Sequence, residues 1–435
     1  MRVLSKLLLL VLLVMPSLAM AQSEIIRQNN TNKFALTNAK IYTVTNGVIE
    51  NGTIVISNGI IEAVSANVDI PTDAMIIDYE GGEIYPGMID AGTQLGIKEI
   101  GSIAEAQDVR EFGDITPQMD ALTAVNPNSV SIPVTRVSGV TTVITMPDGG
   151  VLPGMASTIN LFGYNADQMY AGSKGLVINF PNSARRWRQT QEQADKAREK
   201  ALKELNDAWD KAELYNTIKD QPGARYYPEM DAICKAINGD VLIYIEVNAA
   251  KDIQSAIEWV GDRELDNVVF VGVSEGFRVA DEIAAAGIPV IAGPTIELPT
   301  RTSDRYDVQY KNPGIMQQAG VKVALRTADA ENSRNLPFHA GFAAAFGMGR
   351  EEALKAITIN AAEIMGLEDQ IGSIEVGKKA NLFISTGDPF EPASQILDVF
   401  IDGYQVPMTS RQTELYDEFL HRNPGLEKNP ATDNQ

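Results

Sequence analysis

Along residues 33–85, apolar and polar positions alternate with a period of two. The segments KFALTNAKIYTV, TIVISNGIIEAVS and AMIIDYEGGEIYP therefore read as short strands. The dipeptides Asn46-Gly47, Asn51-Gly52 and Asn58-Gly59 predict hairpin turns, because both residues tolerate positive φ. The same texture returns near the other end, in GSIEVGKKANLFIS and ILDVFIDGYQVPM. Two β-rich segments from opposite ends of a chain can build one small domain, since termini often lie close together. The pattern assigns residues 33–85 and 371–410 to such a composite domain.

Between them, over residues 86–370, the pattern changes. Continuous apolar runs replace alternation: GEIYPGMID, GVTTVITM, STINLFG, GLVINF, GDVLIYIEV, NVVFVGV, GIPVIAGP and GVKVALRT. Helical stretches such as DIQSAIEWVGDREL and VADEIAAAGI lie between several of them. Apolar strands separated by helices imply a parallel sheet buried on both faces. Eight of them suggest a closed (β/α)8 barrel, which typically takes about 250 residues. An open doubly wound sheet is the competing arrangement, but no Gly-rich phosphate loop follows any strand. The fold class is thus α/β, a TIM-like barrel with a small composite β-sandwich.

Three other stretches stand apart. Residues 184–219 are highly charged and helical, with Leu202, Leu205, Trp209 and Ala212 forming an apolar stripe. They read as a surface helix inserted in the barrel, with Glu199–Lys203 and Asp207–Lys211 as i,i+4 pairs. That insertion is placed to shade the active face. Residues 1–21 combine Arg2 and Lys6, the apolar run Leu7 to Val14, and Ala19-Met20-Ala21, the pattern of a secretory signal cleaved after Ala21. The run is too short to span a bilayer, which takes about 20 residues. The expected destination is the periplasm, with no membrane span in the mature form. Residues 425–435 read as a flexible tail.

The net charge is −21, and removal of Arg2 and Lys6 leaves the mature chain more acidic still. Such a surface repels nucleic acid. The single cysteine, Cys234, excludes an internal disulfide and sits on the apolar face of a helix, where a buried thiol is expected. The chain has only two histidines, His339 and His421. His339 falls in a helix among apolar residues and reads as a packed, hydrogen-bonded side chain. His421 should lie far from the barrel.

Barrel enzymes carry their chemistry at the C-terminal ends of the strands. Those ends present Asp90, Gly92 and Gln94, then Asn179, Glu246 and Asn248, then Ser274 and Glu275, then Glu297, and finally Asp329. Glu246, Glu275 and Asp329 thus approach one rim. The loop after the seventh strand adds Arg301, Asp304, Arg305 and Tyr306, and the loop after the first adds Asp108, Arg110, Glu111 and Asp114. Long loops at this face carry function more often than others. Gly92, Glu275, Arg301 and Tyr306 are therefore the expected lining of a ligand pocket.

At this point the chain resembles the amidohydrolase superfamily, closest to its imidazolonepropionase-like and cyclic-amidase-like members. GGEIYPGMIDAGTQLG is similar to the family's Pro-Gly-Leu-Ile-Asp-x-His-x-His segment. EALKAITINAAEIMGLEDQIGSIEVGKKANLFI resembles the closing helix and return strand, and GVKVALRTAD the eighth strand with its catalytic aspartate. The resemblance spans residues 33 to 410. It implies a barrel beside a composite β-sandwich, hydrolysis of carbon–nitrogen or related bonds, and one or two divalent metals that activate water.

Carried over residue by residue, the resemblance puts the paired histidines at Gly92 and Gln94, the fifth-strand ligand at Glu246, and the sixth-strand histidine near Ser274. The catalytic aspartate falls on Asp329, or on Ala328 if the register shifts by one. Lys174 precedes its strand, so no lysine stands at the ligand rim. A catalytic zinc needs three protein ligands and an open position. Gln94, Glu246 and Asp329 supply only oxygen, which suits hard cations bound weakly. The expected cofactor is therefore none, or one weakly bound divalent metal, and a zinc pair is not expected. The expected function is a ligand-binding protein or a non-catalytic subunit, partnered as a homo-oligomer or with a related intact amidohydrolase. The alternative is an active hydrolase of carbon–nitrogen bonds using Glu246 and Asp329.

Overall fold

The structure, a computed structural model, describes residues 32–185 and 188–422. The signal-like residues 1–21 and the tail 425–435 lie outside these. From the N-terminal side come β1 (Lys33–Tyr42), β2 (Val48–Ser57), β3 (Ile60–Ser65), β4 (Met75–Asp78) and β5 (Glu83–Pro86). The barrel strands follow: β6 (Met88–Thr93), β7 (Val140–Thr145), β8 (Gly154–Asn160), β9 (Tyr170–Asn179), β10 (Leu242–Val247), β11 (Val268–Gly272), β12 (Val290–Ala292) and β13 (Val323–Leu325). The chain returns with β14 (Leu382–Ser385), β15 (Ile396–Ile401) and β16 (Tyr404–Gln405).

The first sheet runs β16-β15-β14-β5-β1-β2-β3, with β4 also beside β1. Its seam is the antiparallel pairing of β14 with β5, Leu382 opposite Pro86 and Ser385 opposite Glu83. Phe34, Leu36, Ile54, Ile84, Leu382 and Phe400 form its buried core. Asn58 and Gly59 turn β2 into β3 at φ 51° and 82°, as a primed hairpin turn requires. Asn51-Gly52 makes no turn. It lies inside β2, where the register slips between Ala39–Gly52 and Ile41–Ile49 and leaves a bulge. A Cβ on Gly52 would fall 2.5 Å from Ile41 Cδ1, so the bulge also draws the strands together there.

Each of the eight apolar runs supplies a strand of one sheet, in chain order from β6 to β13, but the first, GEIYPGMID, is split, its Glu83–Pro86 being β5 of the composite sheet. Seven share a direction, but β8 runs antiparallel to β7 and β9. Connection length explains the reversal. A parallel return needs a crossover of a dozen or more residues, and only residues 146–153 separate β7 from β8. β6 and β13 meet without a strand ladder: the Ala328 N–H donates to Gly92 O at 3.0 Å, and the Asp90 side chain bonds Thr327. Ile89, Ile144, Val177, Tyr244, Val269, Val271 and Ile291 fill the interior.

Outside the strands pack α1 (Gln191–Ile218), α2 (Pro228–Ile237) and α3 (Ala250–Asp262). α1 buries Leu205, Trp209, Ala212 and Tyr215, and Trp209 meets Trp259 of α3 edge-on at 5.1 Å. It belongs to the outer helix layer, and nothing in these contacts places it over the barrel mouth. Its Lys203 pairs with Asp207, four residues on, rather than with Glu199. Cys234 in α2 is buried, its thiol facing Ala212 O at 3.3 Å, and burial pushes its pKa up. No helix among the described residues is long and apolar enough to cross a membrane.

Candidate functional site

A cavity of about 220 Å³ opens at the C-terminal end of the barrel, lined by Gly92, Gln94, Met146, Pro147, Asp148, Asn179, Glu246, Arg326 and Ala328 among others. A hollow of about 340 Å³ lies at the opposite end, among Leu242, Val268, Ile288 and Val321 near the strand starts. It is the larger, but barrel chemistry sits at the C-terminal rim, and the smaller cavity is where the polar groups converge.

Arg326 dominates this mouth. It leaves the end of β13 and forks onto Glu246, Nη1 to Oε2 at 2.7 Å and Nη2 to Oε1 at 2.8 Å. Its Nε donates to Gly293 O at 3.1 Å. The Arg326 side chain is only 11% exposed and that of Glu246 28%. A planar, two-bond match of this kind gives the strongest ion-pair geometry that side chains make. Asn248 Nδ2 adds a third donor to Glu246 at 3.0 Å, and Asn248 Oδ1 accepts from the Ser274 hydroxyl at 2.8 Å. Pattern reading passes over Arg326. The available signal is a cation inside the apolar strand VALRT, since a buried arginine requires a partner.

Glu275, Asp329 and Asp90 at the rim are also engaged. Glu275 is buried and accepts from Arg301 Nε and Nη2, both at 2.5 Å, from Thr300 Oγ1 at 3.1 Å and from the Ala250 N–H at 3.0 Å. Burial alone would raise its carboxyl, but these donors outweigh burial and hold it below the ordinary value. Asp329 is not in the cavity lining and binds the turn that follows it. It accepts from the Glu331 N–H at 2.8 Å, the Asn332 N–H at 3.1 Å and Asn332 Nδ2 at 3.0 Å. Burial pushes its carboxyl up, and those donors more than reverse the shift. The residue that lines the cavity is Ala328. Asp90 is fully buried and accepts from Gly92 N–H, Thr327 N–H and the Thr327 hydroxyl. Burial nevertheless pushes its carboxyl up to about 6.

The expected pocket set therefore divides. Gly92 and Gln94 line the cavity with Glu246. Glu275, Arg301 and Tyr306 do not: the first two bind each other beside it, and Tyr306 is 69% exposed. Lys174 lies within β9 rather than before it, opposite Ser157 of β8, and pairs with Asp120. His339 sits in α4 (Leu336–Ala343), where Nδ1 accepts from the N–H groups of Thr295 at 3.1 Å and Ile296 at 3.3 Å. His421 is exposed on the C-terminal helix Arg411–Arg422. Among the described residues, no three His, Cys, Asp or Glu side chains gather as a metal would need. Two tips carry non-glycine residues at positive φ, Val273 at 51° and Ala328 at 56°, a strained conformation that marks functional rims.

The barrel, its composite sheet and this rim can be set against known proteins. A model of the amidohydrolase family matches residues 85–406. The chain belongs to the amidohydrolase family. An imidazolonepropionase of Idiomarina loihiensis is 24% identical over 382 residues, 82% of this chain and 90% of that protein. An imidazolonepropionase of Fusobacterium nucleatum is 36% identical, but over 109 residues, so this amidohydrolase-family chain spans only 26% of that relative's length. Among solved structures, an amidohydrolase from Thermotoga maritima MSB8 superposes with a TM-score of 0.78 at 25% identity, over 87% of this chain and all of the other.

Proposed function

We propose that this amidohydrolase-family chain works by binding rather than by metal-assisted hydrolysis. In this reading it holds a small polar molecule in the barrel mouth, or serves as the non-catalytic subunit beside an intact relative. The observation that carries the reading is the engagement of the three expected ligand carboxylates by protein donors. Glu246 is held by Arg326, Glu275 by Arg301, and Asp329 by Asn332 and the turn behind it. A ligand set for a catalytic metal needs free lone pairs converging on one point. Among the described residues no partner of the Gln94 side chain is found, and a neutral amide does not hold a metal unaided. These residues do not fit a catalytic divalent centre.

The basic start and apolar run of residues 1–21 support export to the periplasm. The acidic net charge, −21, supports a partner that is neither nucleic acid nor an anionic membrane.

The test is elemental analysis of the purified mature protein after growth in metal-supplemented medium, combined with assays on cyclic amides and dipeptides. The expected result is no stoichiometric zinc or manganese and no turnover. Tightly retained metal would overturn this reading, and hydrolysis abolished by Asp329→Asn would establish a working hydrolase. N-terminal sequencing of the periplasmic protein should begin at Gln22.

A further inference from the structure

We propose that the Arg326 guanidinium is an intramolecular stand-in for a metal cation: it holds Glu246 in the barrel mouth and bars a divalent ion from that position. This rests on the reading of the mouth as metal-free, and adds what replaced the ion.

Three observations carry it. The first is charge. Glu246 points into the cavity with a partly buried side chain, and without Arg326 its remaining donor is the amide of Asn248. A partly buried carboxylate with so few donors is stabilised by a nearby cation. The guanidinium supplies one, fixed at a third point by Gly293 O.

The second is space. A Cβ on Gly92 would lie 2.8 Å from Arg326 Cδ and 3.4 Å from its Cβ. The arginine stem therefore runs through the volume that any side chain at position 92 would enter. A ligand at 92 and an arginine at 326 exclude one another, so the glycine is a requirement of the arginine and not merely a missing donor. Gly272 clears the far side: its Cβ would stand 2.6 Å from Glu246 Oε1 and 3.1 Å from Arg326 Nη2.

The third is exclusion. A divalent ion bound to Glu246 would sit within a few ångströms of the guanidinium, and like charges at that distance repel strongly where solvent is restricted. Zinc or manganese at Glu246 must compete with the two Arg326 bonds for the same carboxylate oxygens.

Removal of Arg326 exposes the role. In Arg326→Ala, Glu246 faces an emptied cavity with Gln94, Asp148 and Asn179 on its wall. Thermal unfolding is followed for wild type and Arg326→Ala with and without manganese, zinc or guanidinium ion at sub-denaturing concentration, and metal content is measured after desalting. The expected wild type is indifferent to all three cations. Arg326→Ala should unfold several degrees lower, regain most of that loss with metal or guanidinium, and retain metal that wild type does not. A folded Arg326→Ala indifferent to every cation overturns the assignment and leaves the metal-free reading intact. Stoichiometric metal in wild type overturns both. Should Arg326→Ala not fold, Arg326→Ala/Glu246→Ala decides. Recovery of a folded, metal-indifferent chain shows that Glu246 needed the cation, and failure to recover overturns the assignment.

Discussion

Asp90 and Thr327 are joined twice across the open seam of the barrel, the carboxylate accepting both the threonine N–H, at 3.0 Å, and its hydroxyl. A buried side chain thus does there what a strand ladder does elsewhere. Thr327→Val keeps the shape and removes one donor from a fully buried carboxylate. It should lower stability by about 1–3 kcal/mol, read as a fall in the urea midpoint at unchanged slope. Thr327→Ser should lose clearly less. Equal losses for the two would mean that the hydroxyl is not what closes the seam.

Gly92→Ala should destabilise the wild-type chain by about 1–3 kcal/mol, because the added methyl overlaps the Arg326 stem. In an Arg326→Ala background the same change should be nearly neutral. The double-mutant cycle then returns an interaction energy close to the whole single-mutant loss. Additive losses would place the strain of Gly92→Ala somewhere other than Arg326.

His339 predicts an acid limb. Burial lowers its pKa from 6.5 to about 4, although Asp329 pulls the other way. The neutral ring is what accepts the two loop N–H groups. As pH falls through 6.5 the unfolded chain takes up a proton that the folded chain refuses until about pH 4, so stability drops across that window. The drop is on the order of 2 to 3 kcal/mol. His339→Asn should be less stable than wild type at neutral pH yet show a flatter stability profile between pH 6.5 and 4. An unchanged slope would assign the acid limb to other groups.

The loop after β12 is pinned by Arg301 on Glu275 and by Arg278 on Asp304 at 2.5 Å. Arg301→Ala leaves Glu275 buried with its backbone and threonine donors but no cation. It should lower stability only modestly, because the arginine is half exposed and solvent screens the pair. It should also speed hydrogen exchange over residues 295–307. Arg301→Lys restores charge without the fork, and should recover only part of the protection. Unaltered exchange in Arg301→Ala would show that the loop is held from elsewhere.

The strands were legible because a buried parallel strand is apolar along its whole length, and each of the eight runs supplied a barrel strand, although the first also holds β5 of the composite sheet. The direction of β8 was not legible in its own residues, which are apolar either way; it follows from the short connection 146–153 before it. At the rim, Gly92, Gln94 and Glu246 could be read from their positions at strand ends. The choice between Ala328 and Asp329 could not, because one residue of slip turns a side chain from the cavity to the turn behind it. Arg326 escaped because nothing in an apolar run says which way a lone cation folds over. Its partner, Glu246, lies eighty positions away, and only the fold brings the two together.

The seam of the composite sheet has a consequence for how the chain is made. β5 is complete once Pro86 has been synthesised, but its neighbour β14 begins at Leu382. The first five strands therefore wait, with the β5 edge unpaired, while the entire barrel sequence is translated. A ribosome that stalls anywhere inside the barrel releases a half-built sheet with an open edge, the kind of surface that recruits other chains.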